Sequence, residues 1–86
     1  MKHAGPETFD QLQDLLAELR EIPELNERKT GVFYRRSRAF LHFHDDPTGP
    51  YADVRLADDS DFVRIRMKTA AEKKRLVREV RVAARS

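Results

Sequence analysis

An α+β fold, with two terminal helices laid on one face of a four-stranded antiparallel meander sheet, follows from three observations on this chain of 86 residues. Apolar residues recur at helical spacing near both ends but alternate with a period of two between Val32 and Met67. Each helical stretch opens on a capping-box pattern, a threonine followed three positions on by Gln or Glu. Both helices carry a single apolar stripe, and only one shared sheet face can bury the two together.

The first helix is expected from Thr8-Phe9-Asp10-Gln11, whose hydroxyl would cap the third helical amide. Phe9, Leu12, Leu15, Leu16, Leu19 and Ile22 form its stripe, and Asp10, Asp14, Glu18 and Glu21 lie elsewhere on the cylinder. Pro23 ends it, since proline restricts the residue before it and lacks an N–H. The polar run from Glu24 to Gly31 reads as a connection. Two strands follow, reversing at Arg36-Ser37 with Phe33 set against Phe40 and Val32 against Leu41. Pro47-Thr48-Gly49-Pro50 makes the next turn and leads to a third strand through Ala52, Val54 and Leu56. The polar turn Ala57-Asp58-Asp59-Ser60-Asp61 leads to the fourth, through Val63, Ile65 and Met67. Thr69-Ala70-Ala71-Glu72 opens the second helix, whose stripe is Leu76, Val77, Val80, Ala83 and Ala84. The expected sheet core is Val32, Tyr34, Ala39, Leu41, Phe43, Ala52, Val54, Leu56, Val63, Ile65 and Met67.

A chain of this size forms one small domain, here residues 1–86, with a thin core, because only about 60–65% of its unfolded surface is buried on folding. The absence of cysteine excludes disulfides, thiol nucleophiles and cysteine-ligated zinc. The opening residues hold no apolar run, and no stretch is long and apolar enough to span a bilayer, so a cytoplasmic protein without membrane contact is expected. Residues 1–61 hold 8 Lys/Arg against 13 Asp/Glu, and residues 62–86 hold 9 against 2. A basic end can be a footprint for nucleic acid. It can equally be one basic helix lying beside one acidic helix, with surface ion pairs worth only about 0–1 kcal/mol each.

The alternation leaves Phe33, Arg35, Arg38, Phe40, His42, His44, Tyr51, Asp53, Arg55, Phe62, Arg64 and Arg66 on the face away from the helices. A solvated sheet face ordinarily carries Lys, Glu, Thr and Ser, whereas this one interleaves aromatic rings with arginine. Arginine stacked on aromatic rings explains the composition structurally. The same surface suits a protein partner or self-association, or bases stacked on rings with phosphates on guanidinium groups. The expected function is thus a binding module acting through this face, with no cofactor. The alternative is a metal-binding or small catalytic site: His42 and His44 point the same way along one strand, about 6–7 Å apart, and Asp53 on the neighbouring strand completes a two-histidine, one-carboxylate set. An enzyme would use the two histidines with Asp53 or Tyr51. Five adjacent arginines raise the local potential against a cation, and Asp45 and Asp46 read as turn residues beside Pro47.

In Leu41-His42-Phe43-His44, then Gly49, then Ala52-Asp53-Val54, the chain resembles the bacterial luciferase-domain proteins, a family of unknown function. That resemblance implies a fold and leaves function open. The order of helix, antiparallel strands and helix is also similar to the MmcQ/YjbR-type domains, which would imply DNA contact, and to frataxins, whose acidic first helix is associated with iron.

Overall fold

The structure is a computed structural model that describes residues 2–57 and 60–85. In chain order it contains β1 (Lys2–His3), α1 (Pro6–Gln11), α2 (Gln13–Arg20), β2 (Asn26–Lys29), β3 (Val32–Arg35), β4 (Arg38–Asp46), β5 (Gly49–Val54), β6 (Val63–Arg66) and α3 (Ala70–Ala84). The α+β class holds, with helices packed on one face of an antiparallel sheet. The sheet runs β2-β3-β4-β5-β6, one strand more than expected, and β1 adds to it by pairing with β4. β4 is the long strand at its centre. β5 pairs with residues 41–46 of one edge, while β3 and β1 share the other edge, β3 along residues 38–41 and β1 at His44 and Asp45.

The segment expected to be a connection contains β2. Asn26-Glu27-Arg28-Lys29 has no apolar residue, so no alternation announces a strand. It is held from outside by its pairing with β3, by a two-pronged Arg20–Glu27 ion pair (2.6 and 3.0 Å) and by the Arg28 guanidinium 4.3 Å over the Tyr34 ring. Gly31, in the turn that follows, has φ +72°, and a Cβ there would overlap the Phe9 ring, so this turn lies directly against α1.

The expected capping box at Thr8 does not form. The first helix begins at Pro6 with Gly5 as its N-cap, since proline suits the first helical turn. Thr8 instead donates its hydroxyl to Asp45, whose other carboxylate oxygen accepts from Gly5 N at 3.1 Å. The helix is interrupted at Leu12 (φ −103°, ψ 13°), which divides α1 from α2 without removing Leu12 from the core. The capping box of α3 is present as expected: Thr69 Oγ1 accepts from Glu72 N at 3.1 Å, and Glu72 Oε1 accepts from Thr69 N at 2.8 Å.

The helical stripes Leu12, Leu15, Leu16, Leu19, Ile22 and Leu76, Val77, Val80, Ala83, Ala84 are buried as expected. So are Leu41, Phe43, Ala52, Val54 and Met67 of the sheet. The first hairpin differs. Its turn does centre on Arg36 and Ser37, both at positive φ (51° and 67°), the geometry of a two-residue hairpin loop. The register, however, pairs Arg35 with Arg38, Tyr34 with Ala39 and then Phe33 with Leu41, leaving Phe40 as an inserted residue. That bulge reverses which residues of β3 face the helices. Phe33 and Arg35, expected on the outer face, are therefore turned inward: Phe33 is 1% exposed, and Arg35 Nε donates to Ala84 O of α3 at 3.1 Å. Val32 and Tyr34, expected in the core, are half-buried on the opposite face. Phe40 is buried at the bulge, within the same apolar cluster. Val63 of β6, on the outermost strand, is 45% exposed and not in the core; Ala39, Leu56 and Ile65 are half-buried. Of the polar turn expected at Ala57–Asp61, Asp58 and Asp59 lie outside the described residues; Ser60 N closes on Ala57 O at 3.1 Å. Among the described residues no helix is long and apolar enough to cross a membrane.

Candidate metal centre

The register of β4 with its neighbours lays two rows of side chains across the face away from the helices. One row is His42, Asp53 and Arg64, taken from β4, β5 and β6. The other is His3, His44, Tyr51 and Arg66, taken from β1, β4, β5 and β6. His42 and His44 share a face because they are two residues apart on a strand. His3 joins them because β1 and the two residues after it are fastened to β4 by four contacts: the Lys2–Asp45 and His3–His44 pairs, Ala4 N donating to Phe43 O at 3.2 Å, and Gly5 N donating to the Asp45 carboxylate.

The three imidazoles form one cluster. The rings of His3 and His44 are stacked with centroids 5.2 Å apart, His42 meets His44 edge-on at 4.8 Å, and His3 lies 6.2 Å from His42. One nitrogen from each lies within 4.8 Å of the others, the only such group of three or more metal-ligating side chains among the described residues. Three nitrogens around a tetrahedral zinc at 2.0–2.1 Å would be about 3.3 Å apart, so side-chain rotations that shift each nitrogen by about 1 Å close the set. His3 is exposed, while His42 and His44 are half-buried.

The hydrogen bonding of the cluster is incomplete in a specific way. His42 Nδ1 and His44 Nδ1 are buried and have no hydrogen-bond partner among the described residues. Buried polar atoms are rarely left so, and each such atom asks for a ligand or a water. His44 Nε2 stands 2.9 Å from Asp53 Oδ2, but off the line of a hydrogen bond, so the contact is electrostatic as it stands. A small ring rotation would align it, leaving Nδ1 of His44 free to bind a metal while the carboxylate holds the opposite nitrogen.

Among the three rings, His42 is the one held towards its neutral form. Burial, and after it the neighbouring His44, push the His42 imidazole below its ordinary value. Asp53 is a carboxylate held below the usual range chiefly by the two hydrogen bonds it accepts from Arg64 Nε and Nη2, at 2.8 and 2.9 Å. The arginines that argued against a cation are largely answered for. Arg64 is balanced by Asp53, Arg66 by Glu72 at 2.7 Å, and the Arg55 guanidinium lies 4.4 Å over the Phe62 ring and donates to Ser60 O and Ala39 O. Phe62 also meets the His42 ring edge-on at 4.8 Å, closing one side of the cluster.

Of the residues expected at a site, His42, His44, Tyr51, Asp53, Arg64 and Arg66 come together in the two rows, with Arg55 and Phe62 beside them. Phe33 and Phe40 are in the core, and Arg38 lies at the β3–β4 turn around a small cavity with Arg35, Arg36 and Arg55. In the metal-binding alternative Asp53 is the carboxylate of the set; both of its oxygens accept from Arg64, and His3 brings a third imidazole to the cluster. Sequence reasoning missed His3 because a two-residue strand has no period; its signal is a histidine one residue short of the Ala4-Gly5-Pro6 helix start. No family model, curated protein or solved structure matches this chain, so the reading of the site rests on its geometry.

Proposed function

We propose that this protein binds a divalent transition-metal cation of the zinc class through His3, His42 and His44. The observation that carries the reading is the convergence of three imidazole nitrogens within 4.8 Å at a place where buried nitrogens of two of them have no hydrogen-bond partner among the described residues. Imidazole suits zinc, copper, nickel and iron, and three protein ligands leave a fourth position for an exchangeable ligand. A neutral His42 is ready to donate a lone pair, and a proton competes for that same pair, so affinity falls as pH drops through the imidazole range.

The test is a residue-resolved NMR titration with zinc, followed by calorimetry. Zinc should perturb His3, His42 and His44 together, and His3→Ala should weaken zinc at least tenfold without loss of fold, because His3 is exposed. Zinc shifts that avoid His3, or unchanged affinity in His3→Ala, would remove the reading.

The alternative is a partner-binding platform on the same face, supported by the half-exposed side chains of Arg64 and Arg66. Two of the phenylalanines it would use for stacking, Phe33 and Phe40, are buried, which is why the metal reading is preferred. An oligonucleotide bound with steep salt dependence would favour the platform instead.

A further inference from the structure

The hairpin that joins β3 to β4 gathers arginine at one end of the sheet. Arg35 and Arg38 are paired directly across it and Arg36 sits in its two-residue loop, so three guanidinium groups fall within four residues. Like charges placed opposite one another destabilise a strand pair. Arg55, immediately after β5, brings a fourth: its backbone N donates to Phe40 O at 2.9 Å and its Nε to Ala39 O at 3.3 Å. These four arginines line one cavity of about 250 Å³, completed by Ala39, Phe40 and Ala57, and no carboxylate lines it among the described residues. We propose that this cavity binds the phosphoryl group of a phosphate ion or a phosphate monoester. It shares no residue with the three histidines and does not depend on the metal reading.

Volume, charge and donor geometry select that ligand. Pockets for whole small molecules run to about 300–1,000 Å³, so this one takes a charged head and leaves the remainder of a ligand outside. A phosphate monoester carries about −1.5 to −2 charge at pH 7, which suits a ring of guanidinium groups better than a singly charged carboxylate does. Each guanidinium also presents a planar fork of N–H groups that matches two phosphate oxygens. Two of the four are held in place: Arg35, 8% exposed, donates from Nε to Ala84 O, and Arg55 donates from Nε and Nη1 to Ala39 O and Ser60 O with its plane against the Phe62 ring. Bonds to neutral carbonyls orient these groups without cancelling their charge. Arg36 and Arg38 are exposed and complete the rim.

Inorganic phosphate, methyl phosphate, dimethyl phosphate and acetate would be titrated separately into the metal-free protein, by calorimetry and by NMR of backbone amides and arginine Nε–H signals. Inorganic and methyl phosphate should both bind, shifting the amides of residues 35–39 and 55 and the Nε–H signals of Arg35 and Arg55; the tighter of the two tells a free ion from an ester. Dimethyl phosphate and acetate, each singly charged, should be at least tenfold weaker. Arg55→Gln should weaken phosphate at least tenfold, and because Arg55 is bonded to carbonyls, that substitution releases no carboxylate to repel the anion. Arg78→Gln removes the same charge from an exposed position on α3 outside the cavity and should stay within twofold of wild type. His3→Ala should stay within twofold as well. Phosphate that shifts none of the cavity residues, acetate bound as tightly as phosphate, unchanged affinity in Arg55→Gln, or an equal loss in Arg78→Gln would overturn the inference. A loss in His3→Ala would also overturn it, by placing the anion at the histidine cluster. If Arg55→Gln does not fold, Arg55→Lys, which keeps the charge and loses the fork, carries the comparison with a loss of at least fivefold.

Discussion

Phe33 and Tyr34 are neighbours in β3 whose environments depend on one inserted residue in the facing strand. With Phe33 opposite Leu41, its ring is 1% exposed in the core, whereas Tyr34 is half-buried on the other face under Arg28. Phe33→Ala should therefore cost about 3–5 kcal/mol, the usual loss for a buried phenylalanine. Tyr34→Ala should cost about 1 kcal/mol, on the order of a surface cation–π contact. Urea denaturation of the two variants measures both, and a reversed order would restore the register without a bulge. Strict alternation predicts that reversed order, because it has no means of locating an inserted residue between two apolar neighbours such as Phe40 and Leu41. Beyond the bulge, alternation holds from Leu41 to Asp46, which is why His42 and His44 were legible as outward-facing while Phe33 and Arg35 were not.

The two helix starts have similar local sequences and different outcomes. At α3 nothing competes for Thr69, and its capping box forms with Glu72, whose carboxylate also accepts from Lys68 N at 2.8 Å and from Arg66. At α1 the Asp45 carboxylate engages Thr8 from across the chain, and Gly5-Pro6 starts the helix earlier. Thr69→Ala should cost about 1 kcal/mol, within the range for a lost N-cap hydroxyl. Backbone amides, led by Thr69 N, then Arg66, hold Glu72 down at about 2, below its ordinary 4.5. A lowered carboxyl stabilises the fold above its unfolded value, and that contribution is lost as pH falls from about 4.5 towards 2. Glu72→Gln removes the charge, so its melting temperature should lie below that of wild type at neutral pH and converge with it near pH 2. Parallel curves over that interval would show that the carboxylate contributes nothing. The long periodic segments were legible because many residues repeat the same signal. β1 and β2 were not, since two and four mostly polar residues become strands only through partners elsewhere in the chain.

A metal at the three histidines would join parts of the fold with unequal local stability. β4 is paired along both edges and carries Leu41 and Phe43 into the core. β1 is two residues long and pairs only with β4 among the described strands, and so short a strand opens more easily than the sheet centre. Because His3 comes from β1 while His42 and His44 come from β4, binding requires β1 to be docked, and by linkage the bound metal must stabilise the docked state. Zinc at one hundred times its dissociation constant should add about 2.7 kcal/mol. For a domain of this size that corresponds to a rise of about 10–20 °C in melting temperature. The protection should be largest where docking is reported directly, at the amides of Ala4 and Gly5, which donate to Phe43 O and to Asp45. Hydrogen exchange at those two amides should slow with zinc in the wild type and remain unchanged in His3→Ala. If zinc raises the melting temperature of His3→Ala as much as that of wild type, the metal is held without β1 and the coupling is absent.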